Sequence, residues 1–179
     1  WGRAGGQLYA VMDYIAGGSL RSRIAGQTFP LPQTLDWLTQ IARALDYAHQ
    51  NRLVHRDVKP ENILLEAIEE GDRLYLTDFG LVISTQDDDR ISEDGRPVGS
   101  GRYMAPEQWN GEIDHRSDIY SFGCVMYEMA TGRRPFPEMR GPVLVTAILH
   151  QAPAAPRELN PEVTRLVDFD YDDFTLLDY

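Results

Sequence analysis

The length and composition of the chain are those of one ordinary globular domain: 179 residues, of which 42% are hydrophobic and 25% are charged. This composition argues against a wholly disordered chain. The formal net charge of −11 disfavours binding to nucleic acid or to an anionic membrane surface. No apolar run is long enough to span a bilayer, so we expect no membrane insertion by this segment.

The chain contains one cysteine, Cys124, and begins with Trp1. A single cysteine excludes an internal disulfide and fits a reducing compartment, which favours a cytoplasmic location. Because the first residue is not methionine, we expect either a processed product or a piece of a longer protein. The parent protein could then be membrane-anchored through residues outside this sequence.

The first half of the sequence predicts one long helix among several strands. Apolar residues at helical spacing predict an amphipathic helix over residues 33–50. Apolar or alternating runs predict strands at residues 8–14, 53–54, 63–65 and 74–77. A polar connection that contains Gly71-Asp72 separates the last two strands, which we expect to pair as a hairpin.

The second half is predicted to be mainly helical after a long polar loop at residues 81–100. Residues 117–130 are apolar around most of the helical circumference, which predicts a buried helix that ends at Gly132. A further helix is expected over residues 141–150, and a short one after Asn160-Pro161. Cys124 is expected to serve as a small buried hydrophobe on the helix at 117–130.

The residues that carry chemistry lie at 55–62 and 78–80. Asn62 precedes one strand of the expected hairpin and Asp78 follows the other, so antiparallel pairing brings the two side chains together. An amide oxygen and a carboxylate suit Mg²⁺ that also binds phosphate oxygens and water. Asp57 is close enough in sequence to act as a base at this point, and Lys59 adds a positive charge for a phosphate. The pattern therefore indicates phosphoryl transfer.

These motifs resemble those of the protein kinase family, in which such residues occur in this order. The resemblance continues through Ala105-Pro106-Glu107, through residues 117–123 and through a hinge-like segment at residues 9–20. It covers residues 7–167. It implies a serine/threonine kinase, since Lys59 stands where tyrosine kinases usually have another residue.

The implied fold class is α+β, with a mainly helical C-terminal lobe, a hinge strand and short hairpins at the catalytic loop. Most of the N-terminal lobe is expected to be missing. The implied divisions are an N-terminal lobe remnant and hinge (1–19), the C-terminal lobe (20–167) and an acidic, aromatic tail (168–179). Within the lobe lie a catalytic loop (55–62) and an activation segment (78–107).

The resemblance also implies roles for individual residues with ATP, Mg²⁺ and a protein substrate. Asp57 is the implied catalytic base, Asn62 and Asp78 bind Mg²⁺, Lys59 stabilises the transferred phosphoryl group and Ser100 helps to position the substrate. The implied nucleotide contacts are the gatekeeper Met12, the backbone of Asp13 and Ile15 at adenine, Ser19 near the ribose, and Leu64 beneath adenine.

Further residues have implied regulatory or structural roles. Arg56 would pair with a phosphate on the activation segment, for which Thr85 and Ser92 are candidates. The acidic run Asp87–Asp89 either replaces that phosphate in part or is a solvated loop. Asp118 would bind the backbone at His55-Arg56. Phe79 and Gly80 complete the second motif, in which Phe79 packs near His55.

Three departures from the family pattern predict that the isolated chain is a poor catalyst. Residues 2–6 lack both the spacing and the following strand of a glycine-rich loop. No arginine follows Arg165, so Glu107 has no evident partner. The tail, with five Asp and four aromatic residues, does not match the family. The alternative is a non-catalytic module that binds proteins between the activation segment and the helix at 141–150.

The remaining histidines, His49, His115 and His150, have no metal-ligand spacing. We expect them to pack in the core or at the surface.

Overall fold

The computed structural model describes residues 2–9, 11–24, 26–79, 99–137, 139 and 141–163, with the side chains of Leu8, Gly99 and Ser100 excepted. Predictions for Gly80, Thr85, Ser92, Asp87–Asp89, the side chain of Ser100 and the tail at 168–179 lie outside this description. The described helices are α1 (Leu20–Arg23), α2 (Leu31–Gln50), α3 (His115–Thr131), α4 (Gly141–His150) and α5 (Pro156–Leu159). The strands are β1 (Gly2–Ala4), β2 (Gln7–Tyr9), β3 (Ile63–Ile68) and β4 (Gly71–Leu76). Short 3₁₀ helices within the described residues span Pro60–Asn62, Gly99–Arg102 and Pro106–Asn110.

The core lies between α2, α3 and the β3–β4 hairpin. Helix α2 buries one apolar face, as its periodicity predicts. The members of this face are Trp37, Leu38, Ile41, Leu45 and Ala48. Helix α3 contributes Cys124, Val125 and Met129, so the prediction that Cys124 is a buried hydrophobe is confirmed.

The ends of the long helices follow from local capping. Helix α2 begins at Leu31 instead of the predicted Gln33, because Pro32 is accepted in the first turn, where its missing N–H is not needed. At the start of α3, the Asp114 carboxylate accepts a hydrogen bond from the Arg116 backbone N–H at 2.7 Å, which extends the helix two residues beyond the prediction. Gly132 ends α3 with φ 70°, as predicted. The predicted bounds of α4 are confirmed.

Two antiparallel hairpins account for the strands in the described part of the chain. In the β3–β4 hairpin Ile63 pairs with Leu76, so the predicted pairing is confirmed, although Gly71 and Asp72 belong to β4 and not to the connection. In the β1–β2 hairpin the turn is Gly5-Gly6, with both φ angles positive. The sequence analysis did not predict β1, which forms because glycine at both turn positions allows a two-residue hairpin with β2.

Two other strand predictions were wrong. Residues 11–15 have no strand pairing, and Val11 and Tyr14 are 79% and 90% exposed, so the predicted strand 8–14 ends at Tyr9. Residues 53–54 form no strand either, since the Leu53 backbone N–H bonds to the Ala48 carbonyl at 2.9 Å, in the turn that ends α2.

The short helix α5 lies before Asn160-Pro161 and was not predicted. Pro156 occupies its first turn, and Asn160 ends it. The helix predicted to start after Asn160-Pro161 would extend past Val163, outside the described residues. Residues 161–162 form a turn, in which the Glu162 backbone N–H donates to the Asn160 side chain at 3.1 Å. Residues beyond Val163 are outside the described part of the chain.

Candidate active site

The segment between α2 and β3 brings Asp57, Lys59 and Asn62 together. The 3₁₀ turn Pro60–Asn62 reverses the chain, so that the Asn62 side-chain amide donates to the Asp57 carbonyl at 2.8 Å and to Asp57 Oδ2 at 3.0 Å. Lys59 Nζ donates to the same Oδ2 at 2.6 Å. Two donors thus orient one oxygen of the Asp57 carboxylate, as a base at a fixed position requires.

The register of the hairpin carries Asp78 to the side of Asn62. The Thr77 backbone N–H donates to the Asn62 carbonyl at 2.9 Å, and the Thr77 hydroxyl donates to the same oxygen at 3.2 Å. Asp78 follows at once, with a left-handed φ of 65° that turns the chain away from β4. A residue other than glycine rarely adopts this conformation, and such strain concentrates at functional sites.

The donor set of this corner fits a magnesium ion. Asn62 is buried and directs its side-chain N–H groups to Asp57, so Oδ1 is the atom able to ligate a cation. The Asp78 carboxylate supplies a second hard oxygen. Among the described residues no group of three His, Cys, Asp or Glu could hold a metal ion. Two protein oxygens suit Mg²⁺, which keeps water and phosphate oxygens as its remaining ligands.

The buried carboxylate of Asp118 holds the backbone that precedes Asp57. Asp118 Oδ2 accepts from the His55 N–H at 2.8 Å, and Oδ1 accepts from the Arg56 N–H at 2.7 Å. This contact is the one that the family resemblance implies for Asp118. Arg56 has a left-handed φ of 71°, a conformation that costs about 1–3 kcal/mol and persists only where neighbours enforce it. Gln108 Nε2 donates to the Arg56 carbonyl at 3.1 Å and holds its other side.

His55 is the first residue of the segment 55–62, and its ring is a neutral imidazole. Its Nε2 lies 2.9 Å from the Thr77 carbonyl, which can only accept, so Nε2 carries the hydrogen. The Asp57 backbone N–H donates to Nδ1 at 3.3 Å. The centroid of the His55 ring lies 4.5 Å from that of the Phe79 ring, so the predicted packing of Phe79 near His55 is confirmed. Burial lowers the pKa of His55, because the charged form would lose its hydration.

The nucleotide-side residues are brought together only in part. Ser19 forms an isolated antiparallel bridge with Leu64, and the Leu65 backbone N–H donates to the Gly18 carbonyl at 2.9 Å. Ser19, which is expected near the ribose, therefore lies beside Leu64 of β3, which is expected beneath adenine. Met12, Asp13 and Ile15 lie on the preceding segment, and no hydrogen bond described for the chain ties their side chains to Ser19 or Leu64.

Glu107 has a partner, contrary to the prediction. The Ser117 hydroxyl donates to Glu107 Oε1 at 2.6 Å, across the turn between the 3₁₀ helix Pro106–Asn110 and α3. The prediction failed because it considered only a cation as the partner of Glu107. A hydroxyl group at the start of a helix can also donate a hydrogen bond to a carboxylate.

Sequence reasoning missed a charged cluster around Arg21. Arg21 Nε donates to Glu61 Oε1 at 2.7 Å, and Nη1 donates to Glu128 Oε1 at 2.8 Å. The Tyr103 hydroxyl bonds to both Arg21 and Glu128, and burial raises the pKa of Tyr103 above its usual value. Arg134 also belongs to the cluster, because its Nε donates to the Tyr103 hydroxyl at 3.2 Å. These residues are distant in sequence, so only the polar Glu128 within an apolar helical run hints at a buried partner.

His49 was also missed as part of the site. It was expected to pack without a specific role, but its Nε2 lies 2.7 Å from Asp118 Oδ2.

No helix among the described residues is long and apolar enough to cross a membrane.

Comparisons with known proteins assign the chain to a family. The family model described as "Protein kinase domain" matches residues 3–172. A protein named as a probable serine/threonine-protein kinase from Clostridium acetobutylicum is 38% identical over 164 residues, which cover 90% of this chain and 24% of the relative. The serine/threonine-protein kinases PknH and PknF of Mycobacterium tuberculosis are each 37% identical over 171 residues. Those alignments cover 94% and 92% of this chain, and 26% and 36% of the relatives.

The chain thus spans between about a quarter and about a third of the length of these relatives. The matched residues include both chemical motifs and the helices that position them. The chain belongs to the protein kinase family and, within it, is similar to the serine/threonine-protein kinases.

Proposed function

We propose that the chain is the C-terminal, mainly helical lobe of a serine/threonine protein kinase, together with its hinge segment. In its full-length form the enzyme transfers the γ-phosphate of ATP to Ser or Thr hydroxyls of protein substrates. The observation that carries the proposal is the cluster of Asp57, Lys59 and Asn62 beside the strand end from which Asp78 emerges. The names of the relatives support the class of acceptor.

Asp57 is the proposed base. It accepts the proton of the substrate hydroxyl, and its contacts with Lys59 and Asn62 keep the carboxylate oriented while that proton moves. Lys59 remains beside the carboxylate as a positive charge for the phosphoryl oxygens. Ser100 is the proposed third member of the substrate-positioning group.

Asn62 and Asp78 are the proposed magnesium ligands. Mg²⁺ bound with ATP neutralises the charge that develops on the phosphate oxygens. The contribution of the chain is to hold two oxygen ligands on adjacent strand ends, with Asn62 fixed through its amide N–H groups.

The nucleotide site is proposed to begin at the hinge segment. The backbone of Asp13 and Ile15 would contact adenine behind the gatekeeper Met12, with Leu64 beneath the base and Ser19 near the ribose. The bridge between Ser19 and Leu64 supports the last two assignments, because it fixes the hinge end on β3.

Arg56 is the proposed receiver of a phosphate from the activation segment. Its Nε is buried and has no hydrogen-bond partner among the described residues. This supports the proposal, because a phosphate on the activation segment would supply an acceptor for that N–H group. Phe79 is proposed to keep the second motif, which ends at Gly80, against the catalytic loop through His55. Glu107 and Asp118 are proposed to keep the structure of the loop and of the activation segment.

The proposal is tested with the complete product of the reading frame that contains this chain. Three peptides that differ only in one Ser, Thr or Tyr are incubated with γ-labelled ATP and Mg²⁺. We expect label on the Ser and Thr peptides but not on the Tyr peptide. We also expect chelation of Mg²⁺ to abolish labelling and added Mg²⁺ to restore it.

A folded protein that labels none of these peptides, and does not label itself, would contradict the proposal. That result would favour the non-catalytic interaction module. Labelling of the Tyr peptide alone would contradict the assigned acceptor class.

A further inference from the structure

The guanidinium of Arg21 in α1 is held between two carboxylates. Its Nε donates to Glu61 Oε1 at 2.7 Å, and its Nη1 and Nη2 donate to the two oxygens of Glu128 at 2.8 and 3.2 Å. Nη2 also donates to the Tyr103 hydroxyl. All three nitrogens are therefore engaged, and the side chain is 24% exposed. The planar guanidinium is thus a cation at a fixed position, still in contact with solvent.

Glu61 lies close to the carboxylate that is proposed to receive the proton of the substrate. It directly precedes Asn62, whose side chain bonds to Asp57, and its own side chain is 42% exposed. Consecutive residues of an extended peptide are about 3.3–3.6 Å apart, so three residues on either side of the acceptor extend about 10 Å from Asp57. A side chain that flanks the acceptor can therefore reach Glu61.

The charges of the cluster around Arg21 cancel. Glu61 and Glu128 carry two negative charges. Arg21 and Arg134 carry two positive charges, and Arg134 Nε lies 3.5 Å from Glu128 Oε1. Burial raises the pKa of Tyr103, so its phenol is neutral. Without Arg21, the exposed carboxylate of Glu61 would attract an arginine of the substrate through a charge-assisted hydrogen bond. Arg21 already makes that bond, and it repels a second guanidinium at the same place.

We propose that Arg21 is a specificity-determining residue, which occupies Glu61 and Glu128 in place of a basic side chain of the substrate. The kinase therefore does not select arginine near the acceptor. This inference deepens the proposed function and rests on it. Removal of Arg21 would open Glu61 to a basic residue, whereas removal of the charge of Glu61 would open Arg21 to an acidic one.

The test uses the complete reading-frame product and a set of nine-residue peptides. Each peptide has Ser at its centre in a background of Ala and Gly, and one of the three positions on either side carries Arg, Asp or Ala. The value of kcat/KM is measured with saturating MgATP in about 0.15 M salt, which screens the long-range attraction of a chain with net charge −11. For the wild type we expect the Arg and Ala peptides to agree within about twofold at every position.

Two variants are expected to select opposite charges. Arg21→Ala should prefer Arg to Ala about fivefold or more at one position at least, and Glu61→Gln should prefer Asp about threefold at the same position. Arg23→Ala is the matched control, because it removes the same charge from α1. Arg23 is exposed and has no hydrogen bond to Glu61 or Glu128, so we expect the wild-type preferences.

Several results would overturn the proposal. One is a folded Arg21→Ala protein with wild-type preferences, and another is an equal gain for the Arg peptide in Arg23→Ala. A wild-type protein that selects Arg about fivefold or more would also contradict it. If Arg21→Ala does not fold, the double variant with Glu128→Gln replaces it, because that variant leaves no buried carboxylate behind. If neither folds, Glu61→Gln decides, and an unchanged preference for Asp overturns the proposal.

Peptide binding separates this inference from the proposed function. Fluorescence anisotropy of labelled peptides gives their Kd without ATP, and we expect Arg21→Ala to bind the Arg peptide about fivefold more tightly than the wild type does. If the wild type transfers no phosphate to any peptide, the proposed function fails. The same gain in affinity would then still support the role of Arg21, whereas equal affinities of wild type and Arg21→Ala for the Arg peptide would overturn it.

Discussion

At the scale of single residues, His55 shows how the fold selects a protonation state. Its Nε2 donates to the Thr77 carbonyl while its Nδ1 accepts from the Asp57 amide, so both nitrogens are used by the neutral ring. A second proton on Nδ1 would face an N–H donor instead of an acceptor. Burial and geometry thus act in the same direction and lower the pKa of His55.

We expect the imidazole of His55 to titrate below 6.5, the ordinary value for histidine. Between the two pKa values His55 is protonated in the unfolded chain and neutral in the folded chain. The free energy of unfolding therefore falls as the pH drops through 6.5 toward the folded pKa of His55. This single group contributes a slope of at most about 1.4 kcal/mol per pH unit. Ring-proton chemical shifts measured between pH 4 and pH 9 give the value. A midpoint above 6.5 would mean that the ring is not held neutral.

Other residue roles could be predicted only where a motif fixes them. The motif at 55–62 was sufficient to predict that Asp57, Lys59 and Asn62 meet, because they lie within six positions of one another. His49 contacts Asp118, which is 69 positions away. Glu128 contacts Tyr103 and Arg21, which are 25 and 107 positions away. No spacing rule within one sequence identifies such pairs.

At the scale of elements, the long helices α2, α3 and α4 were predictable to within two residues, because their periodicity repeats over several turns. The four-residue helices α1 and α5 are too short to show such a repeat, and they were not predicted. The strand predicted at 8–14 shows the limit of this reasoning. An apolar alternating run becomes a strand only if another segment pairs with it. The pattern of the run itself does not indicate which segment, if any, is its pairing partner. The residues of β2 have β1 as a partner, whereas residues 11–15 have none among those described.

Gly17 controls how the hinge segment meets β3. A Cβ atom at this position would overlap the backbone carbonyl oxygen of Leu65, which cannot rotate away as a side chain can. We expect Gly17→Ala to lower the free energy of unfolding by about 1–3 kcal/mol, because the segment must move away from β3. Chemical denaturation of the 179-residue chain measures this change.

Gly123→Ala is the matched control for that experiment. Gly123 lies within α3, and a Cβ atom there would meet nothing within 4 Å. Because alanine favours a helix more than glycine does, we expect this variant to be more stable by about 0.5–1 kcal/mol. A Gly17→Ala variant as stable as the wild type would contradict the close approach of the hinge segment to β3.

At the scale of the whole molecule, the candidate site is assembled by elements that are far apart in the chain. Helix α3 supplies Asp118 to the catalytic loop, the hairpin supplies Asp78, and the hinge end attaches to β3 through Ser19. The Arg21 cluster joins α1 to the catalytic loop at Glu61 and to α3 at Glu128. Removing the charge of Arg21 would take the nearer of two cations away from the buried Glu128 carboxylate, so the cluster also fixes the relative positions of these elements.

The central claim is that the carboxylate of Asp57 performs chemistry and does not only support the fold. The most direct measurement compares phosphate transfer from ATP by the complete reading-frame product with that of its Asp57→Asn variant. Asparagine keeps the size of the side chain but cannot take a proton from a hydroxyl. Asp46→Asn is the control, because Asp46 is an exposed carboxylate on α2 that bonds only to Gln50 among the described residues.

The expected result is a loss of about 100- to 10,000-fold in kcat for Asp57→Asn, with an unchanged thermal unfolding midpoint and no loss for Asp46→Asn. Transfer by Asp57→Asn at the wild-type rate would contradict the claim.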